Sequence, residues 1–417
     1  MKIDSQITKL FLLVAISAGI VFNASAQNNT RKGRNLSIGI SKTDDSKIKT
    51  NYFNIGLTSN YQFLKGASIN VISDVAQFNS QGIQLSGFVN ITGSKSYGLQ
   101  MAGLANVTRY KAYGLRIGGL MNISGHYSSG VQISGLGNIS GKSHEGLMVT
   151  GLINMSSQEA SGVQIAGLSN ISGNKQKGVS IAGLTNVSGS DVKGIQITSL
   201  LNIAGKSNYG VQLSALGNIS IINKGLQLGL ISNYSDTNSG VQLGLSNISS
   251  KSSRSLQVGI LNISNDSSNV SRQIGLINFK PHTRTQLIIS SGNMNKLSAA
   301  VRFKNRIIYT QLGAGLILGN LTDKASVSAT YRTGLSFPVI KNRFNINTDI
   351  GYSHIETLSN RYIPERLYSL TPRVEAELSL NNNIGIFASG GYSWTRTYKG
   401  NKSFSNDTVF ELGFIIF

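Results

Sequence analysis

Residues 130–145 read GVQISGLGNISGKSHE, and the units on either side repeat this spelling with a step of 16 residues. Each unit opens on a glycine, and an asparagine follows at the same place in every unit, as at Gly130 and Asn138. A step held over so many units means that each unit occupies an equivalent place in the fold. This is typical of repeat architectures, so we expect each unit to bury its apolar side only by stacking on its neighbours.

The asparagines of the repeat form one column, for which we predict a structural role. In register, each side-chain amide can bond to the amide of the next unit and so avoid the cost of being buried alone. The recurring glycine is expected to provide a left-handed or crowded corner. The predicted ladder consists of Asn90, Asn106, Asn122, Asn138, Asn154, Asn170, Asn186, Asn202 and Asn218.

Two architectures fit a unit with apolar residues at Val131, Ile133, Leu136 and Ile139. In a β-solenoid each unit is one coil, whereas in an up-and-down barrel each unit is one strand and one turn. Turns of a barrel alternate between its two rims, so its sequence should repeat every two units, and the turns here show no alternation. At residues 227–230 the unit is one residue shorter than the other units. In a paired strand of a barrel, such a loss would turn every later side chain to the opposite face. Both observations favour the solenoid.

The first 26 residues have the organisation of a secretory signal peptide. Lys2 and Lys9 precede an apolar run over residues 10–22, and residues 24–26 (Ala-Ser-Ala) provide a small-residue cleavage site. We predict cleavage after Ala26 and export of the chain. The chain contains no cysteine, which excludes disulfides and thiolate metal sites.

The chain is therefore predicted to be all-β, with a repeat β-solenoid of 16-residue coils followed by an antiparallel β-barrel-like C-terminal domain. The predicted segments are a signal peptide (1–26), an N-terminal β lead-in (27–65), the solenoid repeat domain (66–280) and the barrel-like domain (281–417).

The C-terminal segment differs in kind from the repeats. It contains alternating strand-like runs, separated by Asn, Gly, Lys and Asp clusters, and it is rich in aromatic residues. This pattern favours a transmembrane barrel, whose aromatic residues form girdles; a water-soluble β-sandwich is the alternative. The girdle candidates are Tyr392, Trp394, Tyr398, Phe410, Phe414 and Phe417.

The chain is basic, with 38 Lys+Arg against 17 Asp+Glu. Such an excess can attract polyanions, but the lysines of the repeats lie mostly in predicted turns, and export argues against a nucleic-acid partner. The acidic residues and histidines do not pair at spacings suited to acid–base catalysis or to metal binding. We therefore predict a protein that is not an enzyme and has no cofactor or metal site. The residues considered were Glu145, Glu159, Asp191, Asp236, His126, His144, His282 and His354.

The repeats, which read Gly-x-Gln-Ile-x-Gly-Leu-x-Asn, resemble the surface-repeat-containing proteins of bacteria, as in residues 242–247 (QLGLSN). The C-terminal residues 411–417 (ELGFIIF) resemble the last strand of outer-membrane β-barrel proteins. These resemblances imply a location in the outer membrane or at the cell surface of a Gram-negative bacterium, with outer-membrane lipid as a partner. They imply no activity.

Two functions remain open from the sequence. The first is a structural or binding role, in which a flat face contacts a surface glycan or a protein partner. The rows expected on that face include Gln132, Gln164, Gln196 and Gln212. The alternative is an outer-membrane pore formed by one large β-barrel that includes the repeats as strands.

Overall fold

The structure of the chain is a computed structural model. It describes residues 33–38, 49–265, 271–281, 283–305, 307–319, 322–341, 343–357 and 366–417. The predicted signal peptide and its cleavage site lie outside these residues. A parallel β-solenoid of about 13 turns is followed by an antiparallel barrel of eight strands, which confirms the predicted fold class.

Most coils consist of a long strand, a two-residue corner, a short strand and a two-residue turn. The solenoid strands are β1 (Gly33–Ile38), β2 (Lys49–Ser86), β3 (Val89–Thr92), β4 (Lys95–Ala102), β5 (Ala105–Thr108), β6 (Lys111–Gly118), β7 (Met121–Ser124), β8 (Tyr127–Ser134), β9 (Gly137–Ser140), β10 (Ser143–Thr150), β11 (Ile153–Ser156), β12 (Glu159–Ala166), β13 (Ser169–Ser172), β14 (Lys175–Ala182), β15 (Thr185–Ser188), β16 (Val192–Thr198), β17 (Leu201–Asn208), β18 (Val211–Ser214), β19 (Gly217–Asn223), β20 (Leu226–Gly229), β21 (Ser232–Asn238), β22 (Val241–Leu243), β23 (Ser246–Ser252), β24 (Leu256–Val258), β25 (Leu261–Ser264), β26 (Arg272–Ile274) and β27 (Ile277–Phe279).

Equivalent strands of successive coils pair in parallel and in register. Asn138 of β9 aligns with Asn154 of β11, for example, one repeat later. Parallel pairing is incompatible with the antiparallel strands of one large up-and-down barrel, so that alternative for the repeats is wrong. The step shortens from 16 to 15 between Ala204 and Ser207 of β17, which is earlier than the residues 227–230 where the sequence suggested it.

The solenoid has a polar interior and an apolar exterior, so the expectation of a buried apolar side is wrong. Gln132 and Asn138 are almost completely buried, whereas Ile133 and Leu136 are 39% and 44% exposed. The alternation of side chains along a strand is the reason, because neighbouring residues point to opposite faces. Burying the amide columns therefore directs the aliphatic side chains outward.

The recurring glycine lies at a position that other residues cannot occupy without strain. Gly130 has a φ of +106°, and a Cβ atom there would overlap the carbonyl oxygen of Gly114 in the preceding coil. Both the positive φ and the close approach of the stacked backbone therefore select glycine. The same two constraints recur at Gly146 and Gly162.

The described part of the predicted lead-in has the geometry of the repeats. Strand β1 pairs in parallel with β2, and Gly33 aligns with Lys49, one repeat length later. Within β2, the side-chain amide of Asn54 donates to Oδ1 of Asn70 at 3.0 Å. These residues therefore form coils of the solenoid.

The barrel consists of eight antiparallel strands that close when β28 pairs with β35, as at Leu287 and Ile416. Its strands are β28 (Arg284–Gly292), β29 (Leu297–Asn305), β30 (Ile308–Gly319), β31 (Thr322–Ile340), β32 (Phe344–Thr357), β33 (Arg366–Ser379), β34 (Ile384–Thr397) and β35 (Ser403–Ile416). Eight strands leave an interior just wide enough for side chains to fill.

The described residues form two compact units, which divide between Gln242 and Leu243. The second unit contains the last coils as well as the barrel, and within it these coils contact the barrel directly. The side-chain amide of Asn278 donates to Oγ1 of Thr310 on the barrel at 3.0 Å, and the hydroxyl of Tyr331 donates to the carbonyl of Gly275 at 3.2 Å. The final coil thus packs against the outer wall of the barrel.

Candidate functional site

The asparagine column lies inside the solenoid and is hydrogen-bonded along its length. Nδ2 of each of the nine asparagines donates to Oδ1 of the next asparagine at 2.8–3.0 Å. From Asn90 to Asn202, Nδ2 also donates to a backbone carbonyl 11 residues later, as from Asn138 to Val149 at 2.9 Å. Both amide protons are thereby used, which is what burial of an amide requires.

A second amide column, which the sequence reasoning assigned to the surface, also lies inside. Gln132, Gln164, Gln196 and Gln212 are at most 2% exposed, so they cannot contact a glycan or a protein partner. Where two successive coils both have glutamine at this position, Nε2 of the later glutamine donates to Oε1 of the earlier one. Gln212 donates to Gln196 at 2.9 Å, and Gln227 donates to Gln212 at 3.0 Å. The recurrence of glutamine at one place of the repeat was the signal that could have revealed this column.

The glutamine column is interrupted by a buried arginine. Arg116 takes the place of glutamine, and its guanidinium donates to Oγ of Ser124 and to the carbonyls of Asn106 and Ile123 at 2.6 and 2.9 Å. None of the described ion pairs involves Arg116, so neutral oxygens alone solvate its charge. Burial lowers the pKa of Arg116 to about 9.

Beside Arg116, several buried polar atoms have no partner among the described residues. They include both side-chain polar atoms of Gln132 and Nε2 of His144. Met148 occupies the next glutamine place, so Gln132 has no amide neighbour on either side. Nδ1 of His144 pairs with Oγ of Ser128 at 2.8 Å. Burial, and secondarily the charge of Arg116, lower the pKa of His144 to about 4, so this histidine is neutral at neutral pH.

Two of the acidic residues singled out in the sequence, Glu145 and Glu159, form pairs at the surface. Glu145 accepts a hydrogen bond from the hydroxyl of Tyr127 at 2.6 Å, and Glu159 pairs with Lys177 at 2.5 Å. His282 lies outside the described residues. Within the described part of the chain, no group of three His, Asp or Glu side chains could hold a metal ion.

The barrel interior holds a network of charges that the sequence did not reveal. Arg302 pairs with Glu375 at 2.8 Å, and Arg373 pairs with both Glu375 at 3.1 Å and Asp349 at 2.9 Å. Within the network four cations face four carboxylates, so the buried charges balance, as the low-dielectric interior demands. The participants are Arg302, Lys304, Arg332, Arg373, Asp349, Glu375, Glu377 and Glu411.

The outer wall of the barrel is apolar and partly aromatic. Outward residues such as Val374, Leu412 and Phe414 are more than half exposed. Towards one end, Tyr368 and Tyr398 contact each other with ring centroids 5.2 Å apart, and Tyr392 lies edge-on to Trp394 at 5.4 Å. The barrel therefore encloses a network of charges together with two buried apolar clusters, one around Ile317 and Leu367 and one around Ile288 and Phe387, and its exterior is apolar.

No protein-family model matches this sequence, and no curated protein matches it. Helices long and apolar enough to cross a bilayer do not occur among the described residues.

Proposed function

We propose that this protein is a non-enzymatic outer-membrane protein, in which the C-terminal barrel anchors the repeats to the bacterial envelope. The repeats then serve a structural role, or bind a surface glycan or a protein partner. The proposal includes export directed by residues 1–26 and a cell-surface or outer-membrane location.

The barrel supports this proposal because its inner and outer faces have opposite character. In β33, the inward residues Arg373 and Glu375 are buried, whereas Val374 between them is 55% exposed. An apolar band outside and polar residues inside, on closed antiparallel strands, is the arrangement that bilayers require, because no backbone group remains unpaired in lipid.

A pore is not part of the proposal. At the level of Glu375, side chains from opposite walls meet in the barrel interior, since Arg302 of β29 reaches β33. An eight-stranded barrel of this kind encloses side chains rather than an aqueous channel.

Membrane insertion can be tested with one outward charge. Leu412 is 66% exposed on the barrel wall, and a lysine on the lipid face of such a barrel costs up to about 2–4 kcal/mol. Leu412→Lys should reduce the fraction of protein that resists alkaline carbonate extraction and shifts on unheated gels. Asn382→Lys, in the exposed connection between β33 and β34, is the matched control and should behave as the wild type.

The opposite result would exclude the proposal. If the wild-type protein fractionates without detergent as a soluble monomer, and Leu412→Lys only improves its solubility, the barrel is a water-soluble domain.

A further inference from the structure

The outward positions of the repeats are apolar in coil after coil. Three positions per coil point outward from the long strand and the corner, represented by Val131, Ile133 and Leu136. The residue at the corner, represented by Leu136, is at least 36% exposed in each of nine successive coils. That corner column, called the leucine column below, consists of Phe88, Leu104, Leu120, Leu136, Leu152, Leu168, Leu184, Leu200 and Leu216.

The opposite edge of the coils is basic and polar. It is formed by the turn between the short strand and the next long strand, and by the first residues of that long strand. Two of its aromatic residues, Tyr97 and Tyr113, stack with ring centroids 4.9 Å apart, and Tyr209 lies within 5.7 Å of the ammonium groups of Lys193 and Lys224. The cations of this basic edge are Lys95, Arg109, Lys111, Lys142, Lys175, Lys177, Lys193, Lys206 and Lys224.

The exterior of the repeats is therefore amphipathic around each coil. Continuous apolar surface of this extent is rare on a soluble monomer and indicates contact with a partner or a membrane. Lysine and tyrosine bordering an apolar surface are typical of elements that lie in the membrane interface, because their polar tips reach the headgroups. If a second copy of the chain covered the apolar surface instead, the positive charge of the basic edge would have no role in the contact.

Contacts within the second unit also favour a lipid bilayer as the partner of this apolar surface. Thr310 faces outward on β30 yet is 1% exposed, because Asn278 of the last coil covers it. The coils beside this contact expose Ile260 and Phe279 by 47% and 52%. These coils therefore expose apolar side chains beside their contact with the outer wall of the barrel.

We propose that the leucine column and its neighbouring aliphatic columns contact the acyl region of a lipid bilayer, while the basic edge contacts anionic headgroups. This inference rests on the proposed membrane location of the barrel, but it concerns the repeats. The repeats then lie on the membrane rather than projecting freely from it.

Fluorescence quenching by brominated lipid tests this contact. Trp394 is the only tryptophan and lies on the outer wall of the barrel, so the wild type reports membrane insertion of the barrel itself. In a Trp394→Phe background, Leu136→Trp reports the leucine column, and Gln158→Trp reports the basic edge. Both sites accept an aromatic side chain in other coils, because Phe88 is the equivalent of Leu136 and Tyr110 is the equivalent of Gln158.

The full-length protein would be reconstituted in phosphatidylcholine vesicles containing phosphatidylglycerol and dibrominated phosphatidylcholine. We expect the tryptophan of Leu136→Trp to be quenched and blue-shifted to the same extent as Trp394 of the wild type. The tryptophan of Gln158→Trp should be quenched much less. Omitting phosphatidylglycerol should reduce quenching in Leu136→Trp, because the basic edge loses its anionic partners.

Three outcomes would contradict the inference in distinguishable ways. If Trp394 is quenched in the wild type but Leu136→Trp shows no quenching, the barrel is inserted and the repeats do not contact lipid. If Leu136→Trp instead gives a blue shift without quenching and cross-linking yields a dimer, a second copy covers the leucine column. If neither variant nor wild type is quenched, the proposed membrane location of the barrel fails as well. Leu184→Trp in the same background checks that the result at Leu136 is not due to local misfolding.

Discussion

The side-chain amide of Asn138 donates a hydrogen bond to Oδ1 of Asn154, 3.0 Å away in the next coil. Asn138 in turn accepts a hydrogen bond from Asn122 at 2.9 Å. Each asparagine is thus both donor and acceptor, and removing one leaves unsatisfied groups in the coils on both sides.

Asn138→Leu should destabilise the repeats, because Asn122 loses its acceptor and Asn154 loses its donor within a buried column. The expected cost is about 1–3 kcal/mol for each group left without a partner, measured by chemical unfolding followed by circular dichroism. Lys142→Leu, at an exposed position of the same coil, is the control and should change stability by less than about 0.5 kcal/mol. Equal effects of the two substitutions would show that the ladder does not stabilise the fold.

Replacing Arg116 by glutamine should stabilise the protein. The substitution removes a buried charge that has no acidic partner and supplies an amide neighbour for Gln132, as in the glutamine pairs of later coils. We expect a higher unfolding temperature for Arg116→Gln, whereas Arg109→Gln, at an exposed site, should leave it unchanged. A decrease with Arg116→Gln would mean that the three hydrogen bonds of the guanidinium outweigh its cost of burial.

His144 should make stability depend on pH in the acidic range. Its pKa falls from about 6.5 to about 4 on folding, because burial, and then Arg116, disfavour the charged ring. The unfolded chain therefore binds a proton that the folded chain rejects, so stability falls as pH drops from about 6.5 to about 4. His144→Ala should flatten this part of the pH profile of unfolding, since Ala160 occupies the same place in the next coil. An unchanged slope would assign the acid sensitivity to other groups.

Gly130→Ala should be much more harmful than Gly137→Ala. Alanine at position 130 would combine a positive φ with overlap of the Gly114 carbonyl oxygen, and strain of this kind costs about 1–3 kcal/mol. At position 137 the added Cβ atom has its nearest neighbour 3.4 Å away, and Ala105 already occupies the equivalent site. Thermal unfolding of the two variants compares them directly; similar losses would argue against the strained corner.

Deleting one whole repeat should be tolerated. Removal of residues 130–145 joins Ser129 to Gly146, and Gly146 can then align with Gly114 as Gly130 does now. Stability should fall by about one nearest-neighbour contribution, as judged by expression and unfolding. Deletion of residues 130–137, half a repeat, should prevent folding because long and short strands would be stacked on each other. If both deletions fold equally well, coil register does not determine the fold.

Part of this fold was predictable because it depends on local repetition. The step of 16 residues and the asparagine column indicated parallel stacking in register, and the alternating runs after residue 281 indicated an antiparallel barrel. The outward direction of the aliphatic side chains was not predicted, because apolar residues are ordinarily expected on the buried side of a strand. Asn138 and Ile139 are neighbours on a strand and cannot share a face, and the amide ladder occupies the interior.

Other features could not have been predicted from local sequence. Arg302 and Glu375 are 73 residues apart, and only closure of the barrel brings them together. The isolation of Gln132 likewise follows from what occupies equivalent places in two other coils, Arg116 and Met148, which becomes meaningful only once the register is known.

The directions of the two amide columns have a consequence for length. Asparagine N–H groups point towards the C-terminal coils, as from Asn202 to Asn218, whereas glutamine N–H groups point towards the N-terminal coils, as from Gln212 to Gln196. Aligned amide dipoles in a single column would accumulate partial charge at its ends, as they do in a helix. Two columns of opposite polarity largely cancel that field, so coils can be added without electrostatic penalty at the termini of the stack.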